Sequence, residues 1–302
     1  MRLLFLITVF LFSTTIINST ERKVYNFFTR WGFTVEEQQN IRLKQMKVKY
    51  RDRYSDFYRG DGTLPDSLTL VEELSFDTNG NLYERIILDS YGGIRSKYDF
   101  VYDSNNDCIS EELSNRSGNV LHRREIKYNS NRDTSEVIYI AQRISRNSKR
   151  VFNYDDNNRL TSKLHYDSKD EQFLREEYIY VNGNLSVLEF YNKENNMHHQ
   201  VSFEYNDRGD IIKETEYGID KIYYYNEDGQ LHKVESTQIK RLYLYDEKGN
   251  IIDEQFFVDN LRQFRLTFSY LDNGLLNEII RYDANDTKMF YSKFNYIFFD
   301  WL

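Results

Sequence analysis

The stretch Lys221–Ile252, KIYYYNEDGQLHKVESTQIKRLYLYDEKGNII, states one phrase twice. The phrase is an aromatic, one residue, Tyr, then Asn or Asp, two residues, Gly, one residue, and Leu or Ile. Taking the Tyr as an anchor extends the pattern along the chain to Phe76, Tyr102, Tyr128, Tyr154, Tyr180, Tyr205, Tyr225, Tyr245, Tyr270 and Tyr296. Successive anchors lie 26, 26, 26, 26, 25, 20, 20, 25 and 26 residues apart. A further step back reaches Tyr50, with Val48 two before it, as a degenerate first unit.

Each slot has a physical reading. Two residues before the anchors stand Leu74, Phe100, Ile126, Phe152, Tyr178, Phe203, Tyr223, Tyr243, Phe268 and Phe294. Side chains two apart in a strand share a face, so every unit presents a pair of large apolar groups to one side. An Asp or Asn follows most anchors, and Gly80, Gly209, Gly229, Gly249 and Gly274 stand four after theirs. That spacing predicts a type I turn closed by a residue in the left-handed region, a hairpin with a bulge. Asn106 and Asn158 substitute for Gly, while Arg132 suits the slot poorly and predicts a distorted or longer turn. Asn182-Gly183 in the 25-residue unit reads as a two-residue type I′ turn. Cys108 falls in a Leu slot and reads as a buried apolar stand-in rather than a nucleophile.

A second turn about twelve residues after the anchor, as in LDSYGG from Leu88 and YDAND from Tyr282, makes each unit two strands and two turns. The fold expected is all-β: eighteen to twenty hairpin-joined antiparallel strands. A sheet that long does not stay open and flat. The expectation is therefore a long curled sheet, a spiral or flattened solenoid, with a dry aromatic interior and a polar outer face. The composition agrees, with 26 Tyr, 21 Phe and one Pro in 302 residues.

The segments expected are 1–20 as a secretory signal peptide, 21–66 as a partly irregular lead-in, and 67–302 as the repeat domain. The first rests on Arg2 before the apolar run Leu3–Phe12, with small and polar residues after it. It places the mature protein outside the cytoplasm: periplasmic, surface-bound or secreted, with no membrane span. In the lead-in, Thr34 stands three before Glu37, as at a capped helix, and the alternation Met46, Val48, Tyr50 reads as a strand. Trp31 and Trp301 are candidates to cap the two ends of the sheet.

The tandem phrase, best seen in FEYNDRGDI, YYYNEDGQL and YLYDEKGNI, resembles the YD repeats of the RHS and teneurin proteins over residues 70 to 296. The resemblance is to a short exported member without the toxin-associated core segment. It implies an antiparallel sheet that spirals, partner or carbohydrate binding, and no catalytic residues within the repeats. Short-hairpin repeats of the MORN kind, richer in Gly, are the nearest rival.

No catalytic, cofactor or metal site is expected. The five histidines share no repeat slot, and the pair His198-His199 reads as a surface loop. Turns such as DTNGN and DSNND carry oxygen ligands, but turn chemistry alone accounts for them. Almost all carboxylates fall in turn slots or alternate outward, so no acid–base pair stands out. A net charge of −8 argues against a nucleic-acid partner. The functional expectation is a non-enzymatic exported scaffold or binding surface for a partner protein. The alternative is a carbohydrate-binding module, which would show a row of outward aromatics along one face.

Overall fold

The computed structural model describes residues 35–141 and 147–299. The signal-peptide expectation, Trp31 and Trp301 lie outside these residues. One helix, α1 (Val35–Gln45), precedes twenty strands. They are β1 (Val48–Phe57), β2 (Thr69–Phe76), β3 (Leu82–Leu88), β4 (Ile94–Tyr102), β5 (Cys108–Asn115), β6 (Val120–Tyr128), β7 (Thr134–Ala141), β8 (Ser148–Tyr154), β9 (Leu160–Tyr166) and β10 (Gln172–Val181). The second half comprises β11 (Asn184–Asn192), β12 (Met197–Tyr205), β13 (Ile211–Glu216), β14 (Ile219–Tyr225), β15 (Leu231–Glu235), β16 (Ile239–Tyr245), β17 (Ile251–Val258), β18 (Leu261–Tyr270), β19 (Leu276–Tyr282) and β20 (Lys288–Phe298).

Every strand pairs antiparallel with its neighbour in sequence, and β1 pairs with both β2 and β20. The sheet is therefore a closed 20-stranded barrel, not the open spiral or solenoid expected from the repeat. The physical reason is β1. It occupies the position of the degenerate unit at Tyr50, within the lead-in 21–66, and joins the last hairpin to the first. Closure satisfies the two edges that a spiral would leave with unpaired backbone groups.

The anchor turns all lie at one end of the barrel, called here the anchor end; the second turns lie at the other, the far end. At the anchor end Gly80, Gly209, Gly229, Gly249 and Gly274 have φ between +78° and +83°. The amide of Gly229 donates to the Asn226 carbonyl, and the Asn226 amide to the Gln230 carbonyl. The opening Asp or Asn locks the loop from its side chain: Asp77 Oδ1 accepts from the amides of Asn79 and Asn81, both at 2.9 Å. Asn182 and Gly183 both have positive φ, as a type I′ turn requires.

Arg132 differs from its expectation. It adopts φ +65° in a turn of the same length. Its guanidinium forks onto Asp107 of the preceding anchor turn at 2.7 and 2.8 Å and also reaches the Asn105 carbonyl. A bidentate ion pair between adjacent turns offsets the left-handed strain of a non-glycine residue there.

The anchors explain why the repeat uses Tyr rather than Phe. Nine anchor hydroxyls donate to the backbone of the preceding hairpin: Tyr102 to Leu82, Tyr128 to Cys108, Tyr154 to Thr134, Tyr180 to Leu160 and Tyr205 to Leu185. The series continues with Tyr225 to Ile211, Tyr245 to Leu231, Tyr270 to Ile251 and Tyr296 to Leu276. Each acceptor is the first residue after the previous anchor turn. Successive hairpins are joined covalently only at the far end, so these bonds fasten the seam at the anchor end. Burial pushes the phenols of Tyr245 and Tyr296 up to about 12, so both remain donors at neutral pH.

The residues two before the anchors form the core. Leu74, Phe100, Ile126, Tyr178, Phe203, Tyr223, Tyr243, Phe268 and Phe294 are buried, as is Cys108. They fall into three groups that share the half-buried Phe152, Ile211 and Tyr296, so the core is a continuous apolar ring inside the wall. Helix α1 enters this ring at the anchor end. Val35 and Leu43 pack against it, while Gln39 and Arg42 hold the Gly274 carbonyl at 3.2 and 2.5 Å. The Leu276 amide donates back to Gln39 Oε1 at 2.7 Å. Among the described residues, no helix is long and apolar enough to cross a membrane.

Candidate functional site: a charged belt on the inner wall

Period two carries the inner face beyond the core ring. Four residues before the anchor, on the same face as the core residues, stand Glu72, Arg124, Arg150, Glu176, Lys221 and Arg241. The cross-strand register brings further charges beside this layer. Arg53 lies opposite Glu72, Arg124 opposite Glu111, Glu176 opposite Lys163, and Lys221 opposite Glu214. The interior is thus not the dry aromatic space expected: a belt of charge runs inside it, above the apolar ring.

Most of the belt is paired. Arg124 meets Glu111 at 2.9 Å, Lys221 meets Glu214 at 2.9 Å and Arg241 meets Glu254 at 2.7 Å. Glu176 accepts from His165 Nε2 and the Tyr178 hydroxyl, both at 2.6 Å, with Lys163 Nζ at 3.3 Å. Burial alone would raise the Glu176 carboxyl. The His165 hydrogen bond, the Lys163 charge and the Tyr178 hydroxyl overcome it and hold the group at about 2. Burial also lowers the His165 imidazole, so at neutral pH it is an uncharged ring donating to a carboxylate.

The densest part lies on β1–β3. Glu72, 1% exposed, accepts from Arg51 on Oε2 and from Arg85 on Oε1, the latter through Nε at 2.9 Å and through the guanidinium end at 2.7 Å. Its burial would raise the carboxyl. The cations Arg51, Arg53 and Arg85 reverse that and hold it at about 2. Glu36, from the first turn of α1, faces the same group, and burial raises its carboxyl despite the arginines. The helix therefore delivers a second carboxylate into the barrel.

Two further expectations change. His198-His199 is not a loop: both residues lie in β12. His198 is exposed, but His199 points inward, stacked between Phe190 at 4.9 Å and Tyr217 at 4.0 Å, with Glu216 at 2.9 Å. The carboxylates are not all in turns or outward, as Glu72, Glu111, Glu176, Glu214 and Glu254 show. For Glu72 and Glu176 the signal was present in the slot four before the anchor, while Glu111, Glu214 and Glu254 stand nine after theirs. The core residues two before the anchor define the inner face, and one more step of two reaches the belt. Among the described residues, no group of three His, Cys, Asp or Glu is placed to hold a metal ion.

The outer wall has a different chemistry. Its strands carry short-range ion pairs: Lys97 with Glu84 and Asp99, Lys127 with Glu136, and Lys213 with Glu204 and Asp220. A membrane-spanning barrel instead turns an apolar band outward. The exposed large apolar side chains sit at strand ends and turns. The most exposed ring the far end: Tyr91 at 95%, Tyr217 at 76%, Leu261 at 70% and Phe57 at 67%.

No family model matches the chain, and no curated protein does. Among solved structures, a chain of TcdB2-TccC3 without its hypervariable C-terminal region matches with 13% identity and a TM-score of 0.33, over 79% of this chain. This chain spans only 19% of that one. Porin-like proteins from Bacteroides uniformis and Bacteroides vulgatus match over 83% of this chain and 98% of theirs. Their identities are 6% and 10%, and their TM-scores 0.36 and 0.30. At TM-scores below 0.5 these likenesses carry no argument for fold or function.

Proposed function

We propose that this chain is a non-enzymatic, exported, water-facing barrel that binds a partner protein end-on, at the rim of its far end. The observation that carries the reading is the distribution of exposed side chains. Ion pairs run along the outer strands, while the most exposed large apolar side chains, Tyr91, Tyr217, Leu261 and Phe57, stand around the far rim. Large apolar side chains exposed around a rim of otherwise polar surface are characteristic of protein contacts. The carbohydrate reading calls for a row of outward aromatics on one face. Tyr83 and Tyr91 instead lie at opposite ends of β3, with Phe173 and Tyr217 on distant hairpins, so the four form no row, which favours the protein partner. The YD-repeat resemblance belongs to the same proposal: it supplies the precedent of a hairpin-repeat wall that binds without catalytic residues.

The test pairs the wild-type chain with the triple variant Tyr91→Ser, Tyr217→Ser, Leu261→Ser. Both are used to capture surface proteins of the producing cell, and both are applied to a glycan array. The variant is expected to keep its melting temperature and lose a partner that the wild type retains. Equal capture by both, or glycan binding by both, overturns the reading.

A further inference from the structure

The geometry points to a binding subsite on the inner wall at Arg53, suited to the carboxylate of an apolar monocarboxylic acid. The subsite goes beyond partner docking and shares only Phe57 with the docking rim; Arg53, on which its test turns, is no part of that rim.

Glu72 offers two carboxylate oxygens; Arg51 takes one and Arg85 the other. Arg53 is left with Glu72 Oε2 at 3.9 Å, beyond hydrogen-bond reach. Its Nε is buried with no partner among the described residues, and its side chain retains 27% exposure. Among those residues three guanidiniums thus face two carboxylates, Glu72 and Glu36. Burial and the neighbouring cations Arg51 and Arg85 lower the Arg53 pKa, while Glu72 and Glu36 act in the opposite direction. A partly buried guanidinium without a hydrogen bond among the described residues is costly, and an incoming oxyanion would satisfy the part of it that solvent reaches.

The wall between Arg53 and the far rim decides the rest of the ligand. Moving outward along β1 and β20, the next inward pair is Ser55 and Ser292, whose hydroxyls bond to each other at 2.7 Å. Beyond them Phe57 and Phe290 meet edge to face at 5.2 Å, with Phe57 open to solvent. From the far rim the sequence is aromatic, hydroxyl, guanidinium. An acid with a short alkyl body would lay its chain against the phenylalanines and its head on Arg53. The serine pair, buried and mutually satisfied, offers the ligand no contact of its own.

Decanoate is the probe, with decanol as the uncharged control. Titration calorimetry of the full chain is expected to show decanoate binding and no comparable binding of decanol. Arg53→Gln should weaken decanoate by roughly ten- to hundredfold, the loss of a charge-assisted hydrogen bond. Arg53→Lys, which keeps the charge but not the fork, should retain part of the affinity. It also guards against a Gln variant that fails to fold. Absence of decanoate binding to the wild type, equal binding of decanol, or undiminished binding to both variants overturns the assignment.

Discussion

Glu72 inside the barrel and Lys213 outside it are both held by two partners of opposite charge, yet they occupy different physical worlds. Glu72 is 1% exposed and gripped by Arg51 and Arg85. Lys213 lies between Glu204 at 3.3 Å and Asp220 at 3.2 Å on a solvated wall. Water screens the outer pairs and competes for their hydrogen bonds. It does neither for the inner ones, so breaking an inner pair strands charge in a medium that cannot solvate it. Contact lists alone would rank the two alike; burial separates them.

The most forceful way to break that comparison is Glu72→Ala. It leaves Arg51, Arg53 and Arg85 facing one another around Glu36, and the expected loss is about 3–5 kcal/mol in a urea titration. A loss as small as that of an outer-wall substitution would show that water reaches the belt freely. Acid sharpens the same point. Glu72 is held at about 2 against an ordinary 4.5, so the stability it contributes is complete above 4.5 and drains away as pH falls towards 2. The wild-type melting temperature should therefore drop across that window more steeply than that of Glu72→Gln. Parallel slopes for the two proteins would remove Glu72 from the account.

The anchor seam offers a middle case, polar but uncharged. Tyr245→Phe keeps the ring and removes the bond to the Leu231 carbonyl, for an expected loss of roughly 1 kcal/mol. Gly229→Ala is expected to cost a similar amount, on the order of 1 kcal/mol, because φ there is +80°. The new methyl would also meet the Arg208 guanidinium at 3.1 Å, a flexible group able to move aside. If Tyr245→Phe proved neutral in thermal unfolding, the seam bonds would be geometry without energy.

How much of this was legible follows from the range over which each feature is set. The hairpins are local: an anchor, an Asp or Asn and a Gly within five residues fix turn and register, and twenty strands fall within the expected number. Closure is not local. It depends on Arg51 of β1 finding Tyr296 of β20, at opposite ends of the chain, and β1 carries only a faint copy of the repeat. The belt was legible in principle from the alternation Glu72, Leu74, Phe76, but charged residues on an apolar face read as an interruption until a partner strand supplies the opposite charge. Arg132 shows the same limit at a turn: its own segment argues against the left-handed conformation, and the compensation comes from Asp107 in the preceding repeat.

The smallest expected effect is the most discriminating for the comparison. Lys213→Ala removes two ion pairs at once, as many as the hydrogen-bonded partners that Glu72 loses on the inside. Each outer partner nevertheless keeps access to water: the Glu204 side chain is 62% exposed and Asp220 is 48% exposed. Asp220 also keeps the Thr215 hydroxyl at 2.7 Å. The freed carboxylates are therefore resolvated, and the lost Coulomb attraction is offset by the rotamer freedom the neighbours regain. The melting temperature should not move measurably, at low salt or high. A clear fall at low salt that vanishes at high salt would show that the outer pairs act as a coupled network, and would narrow the gap between the two faces of the wall.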